Sequence, residues 1–143
     1  MLIKMDDEDW KLAYCKDDPV RPHLPLAWRT QSGREVLGLQ SDTGEIEAVI
    51  CMARCDGVPI TERELDRSSR PGAPVAVFYT VWSYTRGAGR TMVLEAAEYA
   101  RAQGCDRFVT LSPLTEMAER FHIRNGATLL ERGTECQNFE YVL

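Results

Sequence analysis

Histidine is scarce in this chain: of 143 residues only His23 and His122 carry an imidazole. Long apolar runs are missing too. The longest are strand length, well short of the ~20 residues that cross a bilayer, so no membrane partner is expected. "MLIKMDDEDW" at the start has too short an apolar part for a signal peptide and is followed by acid, so a cytoplasmic location is the expectation. No basic run occurs and the net charge is −5, which argues against sequence-independent nucleic-acid binding. The five cysteines, Cys15, Cys51, Cys55, Cys105 and Cys136, are odd in number and fit no zinc spacing. Buried free thiols in a reducing compartment, with no metal, are expected instead. Repeats and low-complexity tracts are absent, and 143 residues suit one domain rather than two.

What is present reads as an α/β chain. "DDPVRPHLPLAWRTQSG" has three prolines that exclude a continuous helix, so one short strand or helix near residues 10–14 and then an extended segment are expected. "REVLGLQ" (34–40) and "IEAVICMARC" (46–55) flank the turn "SDTGE" and read as an antiparallel hairpin, with Cys51 and Cys55 on one face. "ITERELDRSSRPGAP" (60–74) has room for one short helix. "VAVFYTVW" (75–82) is β-branched and aromatic with almost no polar interruption, which suits a central strand buried on both faces.

After it, "RTMVLEAAEYARAQG" (90–104) places Met92, Val93, Ala96, Ala97 and Ala100 on one helical stripe. Glu95, Glu98 and Arg101 face out, and Gly104 supplies the stop. "DRFVTLS" (106–112) reads as a strand, "TEMAERFHIRNG" (115–126) as a helix closed by Asn125-Gly126, and "ATLLER" with "QNFEYVL" as a last antiparallel pair. The expected sheet is mixed and mostly antiparallel, with one parallel strand–helix–strand step over 75–112. The strand-rich C-terminus could pair with a second copy, giving a homodimer.

Two stretches carry candidate chemistry. "SYTRGAGR" joins a strand directly to a helix. Its G-x-G can aim backbone N–H groups into one space at the helix N-terminus, which makes an anion site, with Arg86 and Arg90 adding charge. A tight turn that needs glycine only for its geometry is the alternative. The third glycine of a dinucleotide fingerprint is missing, and so is the G-K-[ST] of a P-loop. "FVTLSPLTEMAERFHIRNGA" (108–127) holds Ser112 before Pro113 and His122 beside an apolar face. Ser112 as N-cap with proline at the first helical position, and His122 as a packing residue, are the plain structural roles.

The stretch 77–128 resembles the GNAT fold, the CoA-binding N-acetyltransferase type. That family's [QR]-x-x-G-x-[GA] falls on Tyr84, Thr85, Arg86, Gly87, Ala88 and Gly89, with tyrosine in place of the first Gln or Arg. The resemblance implies that the backbone amides of Arg86 to Arg90 hold the pyrophosphate of a CoA thioester, acetyl-CoA or malonyl-CoA. It also places His122 where acetyltransferases carry the tyrosine that protonates the departing thiolate.

"VFYTVWSYTRGAG", "FVTLSP", "ERFHIRNGA" and the terminal "NFEY" resemble, in that order, the catalytic domain of malonyl-CoA decarboxylases, themselves built on a GNAT fold. That family also has a helical domain before this region and a long insertion between the motifs, and this sequence has neither. The resemblance implies that Ser112 and His122 are the working pair: a hydroxyl to orient the departing carboxylate and a histidinium to protonate the enolate. If residues 113–122 were all helical, a rise of ~1.5 Å per residue would hold the two ~15 Å apart. Either the helix begins near Thr115 and the chain folds back before it, or only one of them acts. An ordinary N-acetyltransferase acting on an amine, with Glu47 or Asp56 as base, and a GNAT-fold binding module without chemistry remain as alternatives.

Overall fold

The computed structural model describes residues 1–143, and their strands join in one eight-stranded sheet. β1 (Leu2–Lys4) lies outside the hairpin of β2 (Arg34–Gln40) and β3 (Ile46–Cys55), and β4 (Val75–Ser83) follows. Next come β5 (Arg107–Thr110), β6 (Ser112–Pro113), β7 (Thr128–Arg132) and β8 (Cys136–Tyr141), with β5, β6 and β7 all paired to β8. The β4–β5 pair is parallel and every other strand pair is antiparallel.

α4 (Ala88–Ala102) makes the crossover between β4 and β5. Met92, Val93, Ala96, Ala97 and Ala100 are buried, and four small or slender residues in this stripe let the helix lie close on Leu37, Ile50, Phe78 and Phe139. The helix begins two residues before the expected Arg90, because Gly87 takes a left-handed conformation (φ 85°) and caps it there. Glu95, expected to face out, is half-buried. Gly104, at φ 97°, ends this part of the chain as expected.

The other face of the sheet is covered by the N-terminal segment and α3 (Glu62–Ser68). Residues 1–33 hold more structure than their prolines suggest. α1 (Asp9–Leu12) runs into a 3₁₀ turn (Ala13–Asp17) at the expected place. α2 (Leu26–Arg29) forms where extended chain was expected, and β1 lies ahead of the first element read from the sequence. All five cysteines are buried and free.

This segment is pinned by a buried carboxylate. Asp18 is 3% exposed and accepts from the amides of Val20 and Arg21, each at 2.8 Å, from Arg29 Nη1 at 2.8 Å and from Thr80 Oγ1 at 2.9 Å. Arg29 donates further to the carbonyls of Arg21 and Leu24. Burial pushes the Asp18 carboxyl up, and these four donors outweigh it, leaving the group below its ordinary range. Arg21, also buried, donates to the carbonyl of Tyr79 on β4 and lies 3.6 Å from Cys136 Sγ on β8.

The expected strand over 106–112 stops at Thr110. Ser112 is not a helix cap: it pairs with Gln137 in β6, and Pro113 pairs with Cys136. Thr115 caps α5 (Glu116–Arg124) instead, its Oγ1 accepting from the amide of Ala118 at 3.2 Å. Residues 113–115 are therefore not helical, and the chain folds back before α5.

Asp18→Ala is expected to leave Arg29 buried and unpaired, at a cost of about 3–5 kcal/mol in urea unfolding. A loss under about 1 kcal/mol would show that the hub is incidental.

Candidate active site

β4 and β5 stay paired only from Val75 opposite Arg107 to Phe78 opposite Thr110. The amide of Leu111 still reaches the Phe78 carbonyl at 3.0 Å, and then the strands part. On the β3 side, Cys51 faces Thr80 and Met52 faces Phe78, so Tyr79 is an extra residue in β4. A bulge of this kind bends a strand and raises its twist. β4 turns away from β6, and Arg21 bridges Tyr79 to Cys136 beneath the gap.

The gap opens into a cavity of about 570 Å³. Thr80, Trp82 and Ser83 of β4 form one wall, Ser112 and Pro113 the opposite one. Pro19 and Val20 close it from the N-terminal segment, and Phe121 and His122 from α5. No Asp, Glu, Lys or Arg side chain lines it.

Ser112 and His122 thus meet at one cavity, as the reading of a working pair requires. Ser112 is 4% exposed and its Oγ donates to Thr110 Oγ1 at 2.8 Å. That oxygen also accepts from the Phe139 amide at 3.0 Å, which ties Ser112 to the sheet. His122 is 5% exposed, stacks on Phe139 (centroids 5.4 Å apart, 27° between planes), and lies with Nδ1 2.7 Å from the Tyr141 hydroxyl. Its Nε2 has no partner in the chain and faces the cavity.

Burial lowers the His122 pKa to about 4, so the imidazole is neutral at physiological pH. The histidinium expected from the sequence is therefore corrected. Burial likewise raises the Tyr141 hydroxyl well above its ordinary range and keeps it protonated.

The glycine loop divides in two. The amide of Tyr84 donates to the Glu47 carbonyl at 2.8 Å, and that of Ala88 to the Thr85 carbonyl at 3.1 Å. The amides of Arg86, Gly87, Gly89 and Arg90 have no acceptor in the chain. They are free at the N-terminus of α4, where the helix dipole favours an anion. A Cβ on Gly89 would lie 3.2 Å from Phe121 Cε1, so glycine there keeps α4 close to α5. Tyr84 does not face this ligand space with its side chain. Its hydroxyl donates to Asp17 Oδ2 at 2.7 Å, accepts from Trp82 Nε1 at 2.9 Å, and is pushed up to about 12, by burial first and Asp17 second.

The other sequence candidates lie elsewhere. His23 is exposed and 2.8 Å from Glu62. Asp56 is exposed and paired with Arg70, and neither Asp56 nor Glu47 lines the cavity. Sequence reasoning missed Tyr141 and Thr110 as partners of His122 and Ser112. Tyr141 lies within the quoted "NFEY", the one signal that could have exposed it. No group of three His, Cys, Asp or Glu side chains could hold a metal ion, and no helix is long and apolar enough to cross a membrane.

No protein-family model matches the chain, and no curated protein matches it in sequence. Solved structures do resemble it. Malonyl-CoA decarboxylase from Agrobacterium vitis superposes with a TM-score of 0.67 at 20% identity, over 88% of this chain and 36% of that one. The aminoglycoside 6'-N-acetyltransferase AAC(6')-Ih from Acinetobacter baumannii gives 0.63 at 19% identity, over 94% and 92%. A Bacillus subtilis acetyltransferase in complex with CoA gives 0.63 at 11% identity, over 97% and 93%. The chain has the GNAT fold, with the mixed, mostly antiparallel sheet and single parallel step expected. It spans 36% of the length of the Agrobacterium decarboxylase.

Between pH ~6.5 and about 4, the unfolded chain protonates this histidine and the folded chain does not. His122 therefore withdraws stability as the pH falls through that window, up to ~3 kcal/mol in all. His122→Phe should lose ~2–3 kcal/mol less than the parent between pH 7 and pH 4.5 in urea unfolding. Equal acid sensitivity in both proteins would contradict a buried neutral imidazole.

Proposed function

We propose that this chain binds an acyl-CoA at the N-terminus of α4 and decarboxylates a malonyl thioester in the adjoining cavity. The observation that carries the reading is a cavity with no charged lining side chain that joins Ser112 to a neutral His122. The free amides of Arg86, Gly87, Gly89 and Arg90 suit a pyrophosphate, and Arg86 and Arg90 add charge beside it. Thr85 and Ala88 shape the turn through their own hydrogen bond, and Tyr84 anchors it to the N-terminal segment.

The chemistry follows from the environment. A carboxylate carried into this cavity loses its water and meets no cation there, which disfavours the charged state. Breaking its C–C bond expels CO2 and sends the electron pair to the thioester carbonyl, giving an enolate. His122 Nε2–H is the free donor to that oxygen, and the Ser112 hydroxyl joins it by turning its proton from Thr110 Oγ1 to the ligand. The enolate carbon then takes one proton from water. The water is left as hydroxide, which CO2 takes up as bicarbonate or the buffer neutralises; no acyl acceptor is consumed, and the products are acetyl-CoA and CO2.

Acetyl transfer to an amine is the second reading, favoured by acetyltransferase likenesses that cover over nine-tenths of both chains. Against it, the cavity offers no carboxylate to attract an ammonium or take its proton. A cytoplasmic protein that pairs with itself through its C-terminal strands is compatible with either reading. β7 is an outer strand with exposed Leu129 and Leu130.

Calorimetric titration with CoA, acetyl-CoA and malonyl-CoA should show binding of all three. Malonyl-CoA should turn over with no acceptor present, and Ser112→Ala and His122→Ala should each lower kcat by ~10²-fold or more. Turnover only when an amine is supplied would replace this reading with acetyl transfer. No binding of CoA would remove both and leave a module without CoA chemistry.

A further inference from the structure

The cavity holds more than a malonyl group needs. At ~30 Å³ for each non-hydrogen atom, a malonyl group and the aminoethanethiol arm that carries it, about ten atoms in all, take about half of its 570 Å³. The gap between β4 and β6 also opens to both faces of the sheet. On the α4 side lie Ser83, Gly89 and Phe121, next to the glycine loop. On the other side, under the N-terminal segment, lie Pro19, Val20 and Trp82. Val20 is fixed there because its amide and the Thr80 hydroxyl meet on Asp18 Oδ1, at 2.8 and 2.9 Å. Thr80 is ~10 Å along β4 from Ser83 at the loop end.

This far side is apolar. Trp82 Nε1 is spent on the Tyr84 hydroxyl at 2.9 Å, and the Thr80 hydroxyl is spent on Asp18. What Trp82 turns to the cavity is its ring, beside the carbon side chains of Pro19 and Val20. The three substituents of a thioester carbon diverge. With its oxygen on His122 and its sulfur running back to the glycine loop, C2 of the acyl group points through the gap. A malonyl C2 carries only hydrogen besides its carboxylate, and would leave that apolar wall without a partner.

We propose that the substrate is a malonyl thioester with a short alkyl substituent on C2, seated against Pro19, Val20 and Trp82. The inference rests on the decarboxylase reading and narrows its substrate class. The step balances as before. The bond from C2 to the carboxylate breaks, CO2 leaves, and the electron pair passes into the enolate. Water protonates C2, and its hydroxide is taken up by CO2 as bicarbonate. The product is a straight-chain acyl thioester two or more carbons longer than acetyl when the substituent is ethyl or larger.

Calorimetry with acetyl-, butyryl- and hexanoyl-CoA reads the pocket without any reaction. Affinity should rise by up to ~4-fold for each CH2 buried, and so by up to ~15-fold from acetyl- to butyryl-CoA. Ethylmalonyl-CoA should be converted to butyryl-CoA with kcat/KM at least ~10-fold above that for malonyl-CoA. Val20→Phe fills the far side and should reverse this order by lowering kcat/KM for ethylmalonyl-CoA. If that variant does not fold, the two series on the parent protein decide.

Affinity that stays level or falls from acetyl- to hexanoyl-CoA, with malonyl-CoA the better substrate, overturns the proposal and leaves the decarboxylase reading standing. Affinity that rises along the series while neither malonyl thioester loses CO2 overturns that reading, and the 2-alkylmalonyl class with it.

Discussion

The parting of β4 from β5 after Phe78 and Thr110 is the constraint on which the rest of the site depends. Strands that separate leave backbone groups without ladder partners, and buried groups of that kind are costly. Here the cost is met locally. Arg21 takes the Tyr79 carbonyl at the bulge, and Thr80 gives its hydroxyl to Asp18. Asp18 in turn holds Arg29 and two backbone amides, so the segment that covers the sheet also props open the cavity. Arg21 and Arg29, the most deeply buried of the arginines, have this geometric reason: each satisfies backbone carbonyls that the regular ladder cannot reach.

What the cavity excludes decides its chemistry more than what it contains. The cations of this region are beneath its floor or outside its mouth, and the carboxylates are turned away to their own partners. Inside, polarity is supplied by hydroxyls, backbone groups and one imidazole. Burial against Phe121, Phe139 and Tyr141 keeps that imidazole uncharged. A neutral ring can donate one hydrogen bond at Nε2 and accept one at Nδ1. It suits stabilisation of a developing oxyanion better than delivery of a proton by a histidinium.

Local pattern carried the sheet and its crossover. The uninterrupted apolar run of β4, the alanine stripe of α4 and the hairpin turn between β2 and β3 each have one good physical solution, and the chain adopts it. Ser112 was harder to read, because Ser-Pro is a strong local signal for a helix start. Pairing with Gln137 on a distant strand overrides that preference. His122 was legible as a residue but not as a charge state, since desolvation by Phe139 and Tyr141 is a long-range effect. The Asp18 hub was invisible for the same reason: its donors come from residues 20, 21, 29 and 80. The glycine loop was legible as a candidate anion site. Only the structure separates the amides that are free from those spent on the turn.

The central claim is that an uncharged cavity strips CO2 from a malonyl thioester and lets the carbon be reprotonated. The most direct measurement is mass spectrometry of the thioester formed from malonyl-CoA in D2O, taken at early times. The account predicts acetyl-CoA carrying one deuterium from the new C–D bond, with release of one CO2 per molecule. Free CoA and malonate, the products of hydrolysis, or malonyl-CoA left unchanged by a protein that binds it, would contradict it.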